Sequence, residues 1–272
     1  MVKIIGEIGI NHNGSMELCK KLMLIAKGAG LDYVKLQKRN PEVCVPEAQK
    51  TKRRMTPWGE MSYLEYKYRI EFNEAQIVEL IEYGKQIGIE LFASVWDLDS
   101  CRLMAKHTRI AKIGSASITD LELCKDARER FDFLIISTGM STEEEIERCV
   151  EVCNPDVIMH TNSTYPCPVE DLNLRYIEWL REKYPDKEIG YSGHEYGLVS
   201  TFAAVAIGAK WVERHFTLDR TLKGTDHAAS LEPDGARRVK RDLDLLQRSL
   251  TFKKKKILNC ELAQRKKLKH VN

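Results

Sequence analysis

At 272 residues, 43% apolar and 31% charged, the chain can bury a full core as one large domain or two small ones. No run approaches the roughly 18 apolar residues of a membrane span, and the N-terminal MVKIIGEIGINHNG opens on a strand pattern without a signal peptide, so a cytoplasmic protein without a membrane partner is expected. The net charge of +3 is uneven, with eight Lys or Arg against one Glu in residues 251–272 and 35 basic against 39 acidic residues in 1–250; the excess is a short basic tail, and nucleic acid is not an expected partner.

Short β-branched runs recur along the chain, each closing on polar or glycine residues and each followed by a stretch of helical period. KIIGEIGI, around Ile4, ends at Glu7. YVKLQK, around Val34, carries Lys35 and Gln37. Residues 41–70 then interrupt the alternation with a stretch rich in Lys, Arg, Tyr and Glu that contains TPWGEMSYLEYK. Apolar or small residues at Ile77, Leu80, Ile81, Gly84 and Ile87 mark one face of the next helix. IELFASVW brings Ser94, RIAKIGS brings Lys112 and Ser115, and FLIISTGMS brings Ser137. STEEEIERCVEVC reads as a helix capped by Ser141 with acidic residues in its first turn. VIMHTNS leads to Ser163 and Tyr165, EIGYSGH to Ser192 and His194, and WVERHF to His215; GTDHAAS then sets His227 just before the last long helix. The eight cysteines are scattered, and only Cys149 and Cys153 are close, so reduced thiols are expected.

Eight such units in about 250 residues predict an α/β fold, a (β/α)8 TIM barrel in a single domain over residues 1–250, with 251–272 as a basic C-terminal tail. No GxGxxG follows the first strand, which argues against an open doubly wound sheet. The 41–70 insertion falls after the second strand, where loops overhang the catalytic face, and reads as a lid or as a solvated connection.

In a barrel the C-terminal ends of all strands face one cavity. Lys35 and Lys112 with a ring of hydroxyls there suit a small, multiply charged anion, since two ammonium groups in one mouth repel unless an anion compensates them. His215 and His227 reach the same region from different segments. They read either as structural imidazoles or as ligands of a catalytic divalent cation, with manganese, cobalt or magnesium favoured over a closed zinc site.

EIGINHNG, VKLQK, AKIGS, STGMS, IGYSGHEYG and ERHFTLDRTLKGTDHAASLEP, in this order, resemble the motifs of the sialic acid synthase family, N-acetylneuraminate synthase and its relatives. The resemblance runs from Ile4 to about Leu268. It implies condensation of phosphoenolpyruvate with an N-acetylated hexosamine to a nine-carbon 2-keto acid and phosphate, in a homodimer. It further implies that His215 and His227 hold the metal. Lys35, Ser94, Lys112, Ser115, Ser137, Ser163 and Ser192 would hold phosphoenolpyruvate, Glu7, Gln37 and Tyr165 would face the sugar, and Glu7, Lys35, Lys112 and Tyr165 would act in catalysis.

Two departures stand out. After KIGS the family commonly has Gly and an acidic residue that contacts the sugar, where this chain has Ala116 and Ser117. The segment KILNCELAQRKKLKHVN resembles the family's linker into a small antifreeze-like domain, whose arginine reaches a partner's sugar site. A separate partner chain is one way to supply that domain. The other readings are a catalytically weak barrel that binds phosphoenolpyruvate and a Schiff-base aldolase using Lys112.

Overall fold

The computed structural model describes residues 1–269. Its strands are β1 (Lys3–Gly9), β2 (Tyr33–Lys38), β3 (Arg53–Thr56), β4 (Gly59–Ser62), β5 (Glu90–Val95), β6 (Ile110–Ile113), β7 (Phe133–Ser137), β8 (Val157–Thr161), β9 (Glu188–Gly193) and β10 (Trp211–His215). Eight of them close into a barrel in the order β1-β10-β9-β8-β7-β6-β5-β2, all neighbours parallel, and each coincides with one of the eight runs expected from the sequence. Helices cover the outside of the barrel, as short crossovers between parallel strands require.

The period of two along each strand explains where the site lies. Ile5, Tyr33, Phe92, Ile110, Ile135, Met159 and Trp211 point inward and form one apolar cluster inside the barrel. At its N-terminal end Trp211 packs against Tyr33 and Phe133, with ring centroids 5.6 and 5.5 Å apart, and closes the barrel with an aromatic plug. Two residues further along the same strands, the inward positions become Glu7, Lys35, Ser94, Lys112, Ser137, Thr161 and Glu213. The apolar lower layers thus provide the floor on which a polar upper layer stands.

The helix predicted from Ile77 onward spans Glu74–Ile87, buries Ile77, Leu80, Ile81 and Gly84, and opens with a capping box of Asn73 and Gln76. The helix Glu143–Cys153 corrects its expected cap. Thr142 caps it, accepting from the Glu145 N–H while Glu145 reaches back to Thr142; Ser141 instead donates to the Gly139 carbonyl. Cys124, Cys149 and Cys153 are buried together with Sγ–Sγ distances of 3.7 Å between neighbours, and all eight cysteines are free.

Residues 41–70 are not a bare solvated connection. They contain the antiparallel β3–β4 hairpin and the helix Tyr63–Ile70, which starts at a Ser62–Glu65 capping box. Tyr66 and Ile70 pack on Ile10, just past β1, together with Trp58, Met61 and Tyr63. Gly14 permits this approach, because a Cβ there would overlap the Arg69 carbonyl and its φ of +69° suits glycine. Beyond the helix Pro233–Ser249, the basic segment is mostly exposed and ends in the short helix Leu262–Leu268; residues 270–272 of the expected tail lie outside the described residues. Among the described residues no helix is long and apolar enough to cross a membrane.

Candidate active site

The C-terminal ends of the barrel strands enclose a cavity of about 170 Å3, lined among others by Glu7, Lys35, Gln37, Ser94, Lys112, Ser115, Ser137, Ser163, Tyr165, Ser192 and His215. Eleven of the twelve site residues expected from sequence therefore converge; the twelfth, His227, is buried but is not among the lining residues.

A four-membered charge cluster occupies the floor. Lys35 Nζ lies 2.7 Å from Glu7 Oε2, donates to Ser94 Oγ at 2.6 Å and stands 3.8 Å from Glu213 Oε1. Lys112 Nζ donates to Glu213 Oε1 at 2.7 Å, and Ser192 Oγ donates to the same oxygen at 3.2 Å. All four ionised residues are at most 4% exposed. Burial acts to raise the Glu213 pKa, but the ammonium charges of Lys112 and Lys35 outweigh it and hold the carboxyl below its usual range. Burial lowers the Lys112 pKa, with Glu213 opposing the shift.

This cluster corrects the argument made from two lysines alone, since Glu7 and Glu213 already compensate them. Glu213 was missed as a site residue although its position two before His215 on one strand put both on the same face. The lysines keep capacity for a ligand nonetheless. An ammonium has three N–H donors, and among the described residues Lys112 uses one, on Glu213.

Hydroxyls stand above the lysines. Ser137 Oγ is buried without a partner, and Ser115 Oγ accepts from the Gly139 N–H at 3.0 Å. A Cβ on Gly139 would overlap Ser163 Oγ and come within 2.9 Å of Ser115 Oγ, so only glycine lets the loops after β6, β7 and β8 meet. Gly139→Ala is expected to displace both hydroxyls and raise the apparent KM for an anionic substrate at least ~10-fold, at a stability cost of about 1–3 kcal/mol from overpacking. Steady-state kinetics beside a melting curve would check it, and an unchanged KM would contradict it.

His194 also lines the cavity. Its Nδ1–H donates to the Asn162 carbonyl at 2.5 Å and its Nε2 accepts from the Tyr165 hydroxyl at 2.8 Å. Burial, reinforced by His215, pushes its pKa down to about 3, so the ring is neutral. Burial pushes the Tyr165 phenol up, which makes Tyr165 a positioned hydroxyl rather than a base.

His215 Nδ1 is buried without a hydrogen-bond partner, 3.7 Å from Asp226 Oδ2. His227 sits in a turn where a Cβ on Gly224 would come within 2.6 Å of its ring. Its Nδ1 lies 2.6 Å from Thr217 Oγ1 and its Nε2 3.3 Å from Asn13 Nδ2. Burial lowers the His227 pKa against the pull of Asp226 and Asp219. Imidazole binds metals through a neutral ring nitrogen, the form that burial favours in His227. Among the described residues no group of three or more His, Cys, Asp or Glu is arranged to hold an ion.

A family model described as the NeuB family matches residues 22–255. The chain belongs to the NeuB family. N-acetylneuraminate-9-phosphate synthase of Homo sapiens is 36% identical over 97% of this NeuB-family chain and 76% of its own length. N,N'-diacetyllegionaminic acid synthase of Campylobacter jejuni is 33% identical over 91% of the chain and 77% of its own length. The crystal structure of N-acetylneuraminic acid synthetase from Leptospira borgpetersenii superposes with a TM-score of 0.86 at 28% identity, covering 98% of this chain and 92% of that one. The resemblance stated from motifs thus holds at the level of the family.

One expected departure from other NeuB-family chains lands elsewhere than anticipated. Ala116 lines the main cavity, whereas Ser117 is buried in the turn Ser115–Ser117 and lines an adjoining groove with Trp96, Asp97 and Asp120.

Proposed function

We propose that this protein condenses phosphoenolpyruvate with the open-chain form of an N-acetylated hexosamine, giving a nonulosonic acid and inorganic phosphate. The observation that carries the reading is the convergence of two buried ammonium groups from β2 and β6 on one serine-lined pit. The names of the relatives, synthases of N-acetylneuraminate 9-phosphate and of diacetyllegionaminic acid, support it.

In this reading the remaining N–H donors of Lys35 and Lys112, with Ser94, Ser115, Ser137, Ser163 and Ser192, bind the carboxylate and phosphate and hold C3 of phosphoenolpyruvate facing the aldehyde. Gln37 and the Tyr165 hydroxyl orient the acceptor. C3 attacks the aldehyde carbon, the carbonyl electron pair goes to oxygen, and that oxygen takes up a proton. Water adds to the resulting electron-poor C2 and gives up a proton, for which Glu7 is our candidate acceptor, after which the bond from C2 to the phosphate oxygen breaks. His215 and His227 would hold a divalent cation, manganese in our proposal, with magnesium or cobalt as substitutes, and the chemistry it would supply there is Lewis-acid polarisation of the aldehyde. The 2.7 Å contact with the Glu213 carboxylate ties up Lys112 Nζ and speaks against its use as a Schiff-base nucleophile.

The test is a panel assay of phosphate release from phosphoenolpyruvate and manganese with N-acetylmannosamine, its 6-phosphate and the dideoxy-diacetamido hexoses. Release that requires one acceptor supports the proposal. Phosphoenolpyruvate binding without release from any acceptor would identify a binding barrel instead.

A further inference from the structure

The loop that follows β1 reaches the segment that carries both imidazoles. Asn11, in that loop, is 1% exposed, and its Nδ2 makes two hydrogen bonds to residues 205 and 219 positions away, donating to the Phe216 carbonyl at 2.8 Å and to Ser230 Oγ at 2.9 Å. Phe216 directly follows His215. Ser230 Oγ in turn donates to the Asp226 carbonyl at 2.7 Å, and the Ser230 N–H donates to the His227 carbonyl at 3.1 Å. One amide group thus holds the strand end beside His215 with one hydrogen and the turn around His227 with the other.

The turn needs such a tie. Residues 219–225, between the two imidazoles, are exposed, so packing does not fix their path. Backbone bonds close the base of this excursion, from the Leu231 N–H to the His215 carbonyl at 2.7 Å and from the Thr217 N–H to the Leu231 carbonyl at 2.9 Å. Above that base Asn11 grips the turn through Ser230, and Asn13 Nδ2, from the same loop, donates to the Lys223 carbonyl at 3.0 Å. The loop is itself firmly set. The Asn11 and Asn13 N–H groups donate to the Ile8 and Ile10 carbonyls at 2.8 and 3.0 Å, and the His12 ring stacks on Phe72 with centroids 4.2 Å apart.

The chemistry of the partners fixes how the amide is turned. A carbonyl only accepts, so Nδ2 and not Oδ1 must face Phe216. Oδ1 is left buried without a partner. Burying an acceptor that makes no bond is unfavourable, and an apolar side chain of the same size would avoid that cost. What an apolar side chain lacks is the pair of donors, so the donors account for the residue type. We propose that Asn11 is a positioning residue that sets the spacing of His215 and His227 through their backbones, and with it the affinity of the two imidazoles for a divalent cation. The proposal rests on the metal reading given above and deepens it.

The test reads manganese binding rather than turnover. Manganese chloride alone is titrated into the protein, and the free ion is followed by electron paramagnetic resonance well below the melting temperature. Asn11→Asp keeps the shape of the side chain and removes both donors. It is expected to weaken manganese binding at least ~10-fold, the lower end of what groups that orient metal ligands contribute, while calorimetric affinity for phosphoenolpyruvate stays within about twofold. Amide hydrogen exchange is expected to rise in residues 217–230 and not in the barrel strands. Ser230→Ala, a small change that guards against misfolding of the first variant, keeps the bond to Phe216 and loses the tie to the His227 turn; about 3-fold weaker manganese binding is expected. An asparagine that only holds the fold would lower the melting temperature and leave manganese affinity alone. Wild-type manganese affinity in both variants therefore overturns the positioning role and leaves the metal reading standing. A wild type that binds no manganese removes both. Weakened manganese binding in the variants, with no turnover of any acceptor by the wild type, upholds the positioning role and removes the synthase reading.

Discussion

Lys112→Met is expected to raise the dissociation constant for phosphoenolpyruvate at least ~10-fold and to lower kcat by about 100-fold or more, because one charge-assisted bond is worth roughly 1.5–3 kcal/mol and a fixed donor aimed at developing charge is worth more in the transition state. It is also expected to destabilise the fold. Glu213 would lose its 2.7 Å partner and retain Lys35 only at 3.8 Å, and breaking a buried pair from one side typically costs about 3–5 kcal/mol. The double variant Lys112→Met with Glu213→Gln separates the two effects. It should recover most of the melting temperature, since both charges are gone, and none of the phosphoenolpyruvate binding. Calorimetry and thermal melts on the three proteins decide it; unchanged binding in the single variant would remove Lys112 from the anion site.

His215→Ala should have the opposite profile, with activity lost and stability nearly kept. Its buried Nδ1 makes no hydrogen bond that the variant would break, whereas Lewis-acid assistance is worth several kcal/mol, or about 100-fold and more in rate. His227→Ala should match it in activity and lose about 1 kcal/mol more stability, because the bond to Thr217 goes as well. Treating the wild type with a chelator should reproduce the loss, and added manganese should reverse it. Full turnover in excess chelator would show that both imidazoles are structural.

The barrel was legible in the chain because each strand repeats an inward position every second residue, and a period of two survives any detail of packing. The site was legible for the same reason: Glu7, Lys35, Ser94, Lys112 and Ser137 each lie two residues beyond an apolar inward position. Glu213 obeyed the rule equally and was passed over, because His215 drew the chemical argument to the end of its strand. What sequence could not show was pairing across the barrel. That Lys112 meets Glu213, 101 positions away, depends on closure of the sheet, so two compensated lysines read as a pair of bare charges. The β3–β4 hairpin was hidden for a different reason: its strands are four residues long and mostly polar, and its only local mark is the turn from Thr56 to Gly59, where the Thr56 hydroxyl donates to the Gly59 carbonyl at 2.6 Å. The Ser141–Thr142 choice turned on which hydroxyl faces the helix, which the neighbouring Gly139 loop decides.

The aromatic plug of Tyr33, Phe133 and Trp211 leaves the barrel open at one end only. If phosphoenolpyruvate rests against Lys112 and the acceptor against Gln37 and Tyr165, as proposed, depth governs the traffic: the first must arrive before the second, and phosphate released beneath the product must wait for that product to depart. On the proposed reading, a plug that fills the bottom of the barrel also sets the sequence of arrivals and departures at the top.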